Sequence, residues 1–333
     1  MAPMTRSFSP NGIPGPDVAA YYRRRAEGGV GLIITEGTYP PHPAAGFDPR
    51  VPHLYGEDSL AGWREVVRQV HAAGSKIFSQ IWHVGMVFGG QRGEPAPGIT
   101  PVGATMTQPE IDVAIEAYAA AAANAKAAGF DGIEIHAAHG YLIDQFFWDG
   151  TNQRTDAYGG GIVNRTRFAV EVIEAVRRRI GPAYPLALRF SQWKLQDYDA
   201  KLARTPAELA SFLEPMARAG VDIFHCSQRR FWEPEFADSP LNLAGWTKKL
   251  TGKPTITVGS ITLNDDFVHS FRTDDTASVT GLDELLARLD RDEFDLVAIG
   301  RSLIANPDWP QKIQAGALAQ LNTFNRTALA TLV

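Results

Sequence analysis

Short apolar or alternating runs recur along the chain, and segments with apolar residues three and four positions apart separate them. The runs predict β-strands, and the segments predict amphipathic helices. The predicted strands cover residues 1–4, 31–35, 76–82, 132–136, 185–190, 222–227, 254–258 and 295–300. The predicted helices cover residues 18–27, 59–73, 111–128, 164–180, 206–219, 241–250, 263–271 with 282–289, and 309–315. Unbroken alternation implies parallel pairing, and eight such units close a (β/α)₈ TIM barrel.

The residues that begin and end the predicted helices agree with this α/β prediction. Thr205 is a capping hydroxyl before Pro206, and Gly220 follows the helix that this pair begins. An open doubly wound sheet is the rival fold, but no Gly-x-Gly-x-x-Gly sequence follows the first strand. No linker, repeat or charge block divides the chain, so residues 1–333 are predicted to form a single domain. The longest irregular piece, residues 84–109, is a candidate rim of an active site or an inert surface loop.

Composition narrows the classes of function. The 333 residues are 44% hydrophobic and carry a formal net charge of −5, which offers no general attraction for nucleic acid or anionic lipid. Cys226 is the only cysteine, which excludes an intramolecular disulfide and a cysteine-held iron–sulfur cluster. There is neither an apolar signal core nor a run of the roughly 18 apolar residues that a membrane helix needs. We therefore expect a soluble, cytoplasmic protein, and a homo-oligomer is compatible with the sequence.

Two imidazoles and a phenol follow the fourth predicted strand, at His136, His139 and Tyr141. Imidazoles can donate hydrogen bonds to an oxygen that gains negative charge, and a tyrosine hydroxyl can transfer a proton. The combination suggests acid-assisted reduction or addition at a carbonyl-conjugated substrate. A zinc site is the alternative, but it would need a third ligand, for which the sequence offers only Glu134 or a distant histidine such as His83 or His225.

Other strand ends supply polar and aromatic side chains, and barrel active sites are built from such ends. Gln80 and Trp82 lie on one face of the third predicted strand. Arg189 would point into the barrel from the fifth strand, where it needs an anion such as Glu134 or an electron-rich ligand. Gly37, after the second strand, allows the backbone to approach a flat group.

The last two strands end in glycine turns. Gly259 and Ser260 follow one, and Gly300 and Arg301 follow the other. Such turns expose backbone N–H groups, and loops in these barrel positions frequently bind phosphate. The guanidinium of Arg301 would add two charge-assisted hydrogen bonds, so we expect a bound phosphate group there.

Taken together, the strand ends resemble the old yellow enzymes, FMN-dependent ene-reductases of the NADH:flavin oxidoreductase group. The most specific stretches are Glu-Ile-His-Ala-Ala-His-Gly-Tyr-Leu-Ile-Asp-Gln-Phe at 134–146 and Thr-Asn-Gln-Arg-Thr-Asp at 151–156. The others occur in family order over nearly the whole chain, at residues 1–6, 34–37, 80–85, 188–190, 298–302 and 306–307.

The resemblance implies an FMN that lies across the barrel mouth. It implies that the isoalloxazine ring is held by Ala2, Pro3, Met4, Thr5, Gly37, Gln80 and Arg189. It implies that the phosphate is held by Gly259, Ser260, Gly300 and Arg301. His136 and His139 would bind the substrate oxygen, Tyr141 would donate the proton, and Trp82 would shape the substrate pocket.

The reaction implied by the resemblance is reduction of the activated C=C bond of α,β-unsaturated carbonyl or nitro compounds, with hydride from NAD(P)H, by a ping-pong mechanism. Two alternatives stay open: a flavin-binding barrel with little or no turnover, and a non-redox phosphate-binding barrel such as a lyase. Family members usually have a floor hairpin before the first strand. Because the sequence starts inside that strand, we expect a truncated first strand and no such hairpin.

Overall fold

The computed structural model describes residues 1–85, 106–264 and 278–333. Over these residues, seven parallel strands form one sheet in chain order. The strands are β1 (Leu32–Thr38), β2 (Lys76–Ile81), β3 (Gly132–His139), β4 (Leu186–Lys194), β5 (Ile223–Ser227), β6 (Thr255–Val258) and β7 (Leu296–Val297). The second to eighth predicted strands are therefore confirmed, with boundaries that differ by a few residues.

Helices alternate with the strands as predicted. They are α1 (Pro16–Glu27), α2 (Glu57–Ala72), α3 (Gln108–Ala127), α4 (Leu142–Phe147), α5 (Ile162–Arg165), α6 (Arg167–Ile180), α7 (Pro206–Ala219), α8 (Leu243–Thr251), α9 (Asp283–Asp290), α10 (Arg301–Ala305) and α11 (Trp309–Gln314). Short 3₁₀ helices cover Pro10–Gly12, Leu318–Gln320 and Arg326–Ala330. Most of the predicted segment 263–271 and of the candidate rim at 84–109 lies outside the described residues.

The first predicted strand is the exception, because residues 1–4 do not form a strand. Their backbone nevertheless bonds to both edges of the sheet. The Met1 nitrogen donates to the Leu32 carbonyl at 2.7 Å, and the Ala2 nitrogen donates to the Ile299 carbonyl at 2.8 Å. Pro3 has no N–H to continue a hydrogen-bond ladder, so pairing stops after these contacts. The eight-stranded prediction is thus supported for seven strands, with residues 1–4 lying between β1 and the end of β7.

Alternation along the strands separates the outer core from the inner site. On β3, Ile133 and Ile135 belong to the main core beneath the helices, whereas Glu134 and His136 occupy the opposite face. A small apolar layer lies on the inner face of the sheet, below these polar side chains. It is formed by Ala2, Ile34, Phe78, Ala187, Ile256 and Ala298. The polar side chains therefore stand above this layer, at the carboxyl ends of the strands.

Local sequence explains where several helices begin and end. Thr205 accepts a hydrogen bond from the Glu208 nitrogen at 3.2 Å, and Gly220 ends α7 with a φ of +119°. Within the described residues, no helix combines the length and apolar character needed to cross a bilayer.

Candidate active site

A cavity of about 420 Å³ lies at the carboxyl ends of the strands. It collects side chains that are distant in sequence, because parallel strands bring their carboxyl ends to the same side of a sheet. Its lining includes Ala2, Pro3, Met4, Thr5, Gln80, Trp82, His136, His139, Tyr141, Arg189, Gly259, Ser260, Gly300 and Arg301. These are all the predicted site residues except Gly37.

Gly37 lies behind the wall of the cavity. A Cβ atom added at Gly37 would approach the Trp82 ring to 2.6 Å, so the missing side chain makes room for the indole. Gly37 thus accommodates the flat ring of Trp82, which lies edge to face with the Tyr141 ring at a centroid distance of 5.1 Å. The contact between Gly37 and the isoalloxazine ring that the resemblance implies stays a prediction.

The two histidines and the tyrosine converge above the end of β3. The His136 ring lies 5.0 Å from the Tyr141 ring and 5.1 Å from the His139 ring, edge to face in both cases. The chain turns sharply between them, with left-handed φ values of +65° at His139 and +81° at Gly140. This turn folds the phenol back over the imidazoles.

A buried ion pair holds the turn from below. The Lys194 ammonium donates to Asp144 Oδ1 at 2.6 Å, and neither side chain is exposed. Asp144 Oδ2 accepts from the Gly140 nitrogen at 2.7 Å, and Ser191 Oγ accepts from the His139 nitrogen at 3.0 Å. The backbone of the turn is thus fixed by β4 and α4.

Burial sets the protonation of the three groups. Burial, followed by the positive charge of Arg189, holds the pKa of His136 and of His139 well below the usual value. His136 Nδ1 accepts from the Ala138 nitrogen at 3.3 Å, so in the neutral ring the proton lies on Nε2. Burial raises the pKa of Tyr141 to about 12. The site therefore contains two neutral imidazoles and a protonated phenol at neutral pH.

Two residues that the sequence analysis did not single out complete the substrate side. His139 Nε2 lies 2.8 Å from Ser227 Oγ, which also accepts from Arg189 Nη2 at 3.3 Å. Trp193 stacks on the His139 ring with centroids 4.4 Å apart. The alternation of β4 could have indicated Trp193, two positions beyond inward-facing Ser191. The alternation of β5 could likewise have indicated Ser227, two positions beyond inward-facing His225.

Arg189 is only partly satisfied by hydrogen bonds to the described residues. Glu134 was predicted from the sequence as one possible anion for Arg189. One of its oxygens accepts from Gln80 Nε2 at 2.8 Å, and the other accepts from His225 Nδ1 at 2.6 Å. Burial lowers the pKa of Arg189, while the charge of Glu134 acts through space to raise it. The Nε atom of Arg189 is buried and has no hydrogen-bond partner among the described residues. A cationic donor is thus present in the cavity wall.

The residues predicted to hold a phosphate lie together at the other end of the cavity. Arg301 Nη2 donates to Ser260 Oγ at 3.3 Å, and Ser260 Oγ donates to the Arg229 carbonyl at 2.9 Å. A Cβ atom at Gly259 would approach the Gln228 carbonyl oxygen to 2.7 Å, so this tight turn requires glycine. The arrangement combines a guanidinium, a hydroxyl and a narrow backbone turn.

Comparisons with known proteins identify the family of the chain. The NADH:flavin oxidoreductase / NADH oxidase family matches residues 1–320. A protein described as putative 12-oxophytodienoate reductase 2 of Oryza sativa subsp. japonica is 35% identical over 349 residues, covering 99% of this chain and 86% of the relative. The 12-oxophytodienoate reductase 2 of Arabidopsis thaliana is 34% identical, covering 99% and 87%.

A solved structure shares the fold over the same length. Morphinone reductase in complex with tetrahydroNAD superposes with a TM-score of 0.78 and 31% sequence identity, covering 99% of this chain and 89% of the other. The chain therefore belongs to the NADH:flavin oxidoreductase / NADH oxidase family, the old yellow enzymes, and is an oxidoreductase with non-covalently bound FMN and a nicotinamide reductant.

Proposed function

We propose that the protein is an NAD(P)H-dependent ene-reductase that reduces the activated C=C bond of α,β-unsaturated carbonyl or nitro compounds by a ping-pong mechanism. The observation that carries the proposal is the convergence of His136, His139 and Tyr141 in the cavity that also contains Arg189. The similarity to reductases of 12-oxophytodienoate and morphinone supports a substrate in which a ketone activates the alkene.

The hydrogen-bond donors in the cavity wall are suited to FMN. The buried Arg189 Nε lacks a partner among the described residues and would meet the electron-accepting edge of the ring, where a fixed cation stabilises negative charge. The ring would also contact Gln80 and Ala2–Thr5, and the phosphate would be held by Gly259, Ser260, Gly300 and Arg301. The backbone contact expected from Gly37 stays a prediction. When bound, FMN supplies the hydride-transfer chemistry.

The two imidazoles would bind the substrate oxygen. His136 presents Nε2–H, and His139 is fixed by Ser227 and by stacking on Trp193. Because both rings are neutral, they stabilise developing negative charge as hydrogen-bond donors without giving up their protons. Such donors act most strongly in a buried, preorganised site.

Tyr141 would supply the proton. Its pKa of about 12 keeps the phenol protonated at neutral pH, and its ring lies 5.0 Å from that of His136, which would hold the substrate oxygen. The saturated product gains a hydride at the β carbon and a proton at the α carbon. The phenol oxygen of Tyr141 is the proton source that we assign to the second transfer.

The test is the double substitution His136→Ala with His139→Ala. We expect the variant to retain FMN and its yellow colour but to lose the charge-transfer absorbance that phenols produce. Cyclohexenone-dependent NADPH oxidation should fall by at least about 100-fold, since loss of one such donor costs about 2.7–4 kcal/mol. His71→Ala is the matched control, because His71 is an exposed histidine that pairs with Asp131 away from the cavity.

Normal phenol binding by the double variant would contradict the assigned roles. A yellow wild-type protein without enone-dependent turnover would instead support a flavin-binding barrel that has lost catalysis. A single domain over residues 1–333, a cytoplasmic location and the oligomeric state stay predictions.

A further inference from the structure

A buried carboxylate stands behind the cavity wall without lining it. Glu134 and His225 have no exposed surface, and Gln80 is almost fully buried. Glu134 accepts from Gln80 Nε2 at 2.8 Å and from His225 Nδ1 at 2.6 Å, so both carboxylate oxygens are engaged. Of these three side chains, the one that reaches the cavity is Gln80.

This contact orients the amide of Gln80. A carboxylate can only accept hydrogen bonds, so the NH₂ group of Gln80 must face Glu134. The carbonyl oxygen Oε1 therefore points away from Glu134, where it can accept from an N–H group of a ligand. The two ends of an amide are nearly equal in size, so without Glu134 little would prevent the amide from turning over.

Glu134 also contributes a negative charge. His225 Nδ1 must carry a hydrogen to bond to Glu134, and His225 Nε2 is buried with no partner in the described part of the chain. A proton on Nε2 would leave a buried N–H without an acceptor, so His225 is neutral. Burial also lowers the pKa of His225.

The carboxylate itself is ionised. Both of its oxygens face hydrogen-bond donors, Gln80 Nε2 and His225 Nδ1, and the nearby positive charge of Arg189 favours the anion. The Glu134–His225 pair therefore carries one negative charge. That charge opposes the positive charge of Arg189.

We propose that Glu134, supported by His225, is a positioning residue for the pyrimidine edge of FMN. It fixes the Gln80 amide so that the amide oxygen points toward the imide N–H of the flavin. Its negative charge also partly offsets the positive charge of Arg189, and this offset lowers the reduction potential of the bound cofactor. The inference rests on the proposed placement of FMN against Gln80 and Arg189.

Two substitutions separate the two effects. Glu134→Gln keeps the shape, retains one acceptor oxygen for the Gln80 amide and removes the charge, so reduced FMN should gain about tenfold in affinity relative to oxidised FMN. For a two-electron couple this equals a rise of about 30 mV in midpoint potential. Glu134→Leu removes the acceptor as well, which releases the amide.

The readout for the amide is discrimination between FMN and FMN methylated at the imide nitrogen. Wild-type apoprotein should prefer FMN by at least about tenfold, the equivalent of one hydrogen bond of about 1.4 kcal/mol. Glu134→Leu should lose most of this preference. Glu293→Gln is the matched control, because Glu293 is a buried carboxylate paired with Arg288 and is not part of the described cavity lining. It should change neither quantity.

Wild-type potential in Glu134→Gln, with wild-type discrimination in a folded Glu134→Leu protein, would overturn the inference while leaving the proposed function intact. If Glu134→Leu does not fold, the potential of Glu134→Gln decides alone. If wild-type protein does not distinguish the two flavins and Arg189→Met leaves FMN affinity unchanged, the placement of FMN itself is wrong.

Discussion

Replacing Lys194 with methionine tests whether the buried ion pair beneath the catalytic turn determines both stability and substrate binding. The Lys194 ammonium contacts Asp144 at 2.6 Å and the Ser191 carbonyl at 3.1 Å, with no exposed surface. Methionine matches the aliphatic stem but leaves Asp144 without its counter-ion. The Gly140 nitrogen, which donates to Asp144 at 2.7 Å, is then the remaining described donor to that carboxylate.

The magnitude follows from the burial of both partners. Removing one partner of a buried pair typically costs about 3–5 kcal/mol, a large part of the roughly 5–15 kcal/mol that stabilises a domain. Burial already raises the pKa of Asp144, and loss of Lys194 should raise it further. A raised carboxyl pKa means that the folded state binds a proton more readily than the unfolded state. The difference in the free energy of unfolding between wild type and Lys194→Met should therefore become smaller as the pH falls from 7 toward about 4.

Urea unfolding of Lys194→Met, Asp144→Asn and the double variant gives the coupling energy. The double variant is neutral and keeps an oxygen for the Gly140 nitrogen, so it should recover at least about 2 kcal/mol relative to the sum of the single costs. Lys76→Met is the control, because the exposed Lys76–Asp131 pair should contribute less than about 1 kcal/mol.

The same variants should affect the active site selectively. Because Gly140 lies between His139 and Tyr141, Lys194→Met should weaken phenol binding more than FMN binding. A cost below about 1 kcal/mol for either single variant, or strictly additive costs in the double variant, would refute the reasoning.

Two further predictions concern single groups of the site. Tyr141→Phe should slow cyclohexenone reduction by about 10²–10⁴-fold. Reduction of the flavin by NADPH, measured separately by stopped flow, should change little. Tyr55→Phe is the control, because Tyr55 stacks on His53. His139 has a lowered pKa when folded, so the unfolded state binds more protons below about pH 6.5 and stability is lost as the pH falls. Between about pH 7.5 and 5.5, His139 alone accounts for about 1.4 kcal/mol of the loss in the free energy of unfolding of the wild type. Over the same interval, the free energy of unfolding of His139→Asn should therefore fall by about 1.4 kcal/mol less than that of the wild type. An equal decline in both proteins would show that His139 takes up its proton in the folded state.

The sequence predicted much of the site because strand ends converge for a general reason. Gln80, His136 and Arg189 lie on three different strands, and alternation indicated that each side chain points inward. Parallel pairing then brings them to one side of the sheet without any further information. The same reasoning predicted a common location for Ser260 and Arg301, which are joined by a hydrogen bond of 3.3 Å.

The prediction was less complete where partner choice mattered. Glu134 was one of two partners predicted for Arg189, the other being an electron-rich ligand, but Glu134 bonds to Gln80 and His225. Which of several nearby polar groups a carboxylate bonds to depends on rotamers and on atoms contributed by other strands. Lys194 would be taken for a solvated side chain from its neighbours alone, since its partner Asp144 lies 50 residues away.

The sequence alone determined the order of strands and helices, the face of each strand that points inward, and the set of chemical groups available at the strand ends. These properties follow from the period of apolar residues and from short motifs, which act over a few positions. The tertiary structure decided that residues 1–4 bond to both sheet edges without forming a strand, that Gly37 accommodates Trp82, and that Ser227 joins His139 to Arg189. These outcomes depend on distances between atoms far apart in the chain, which are fixed only when the packed core sets the position of every strand end.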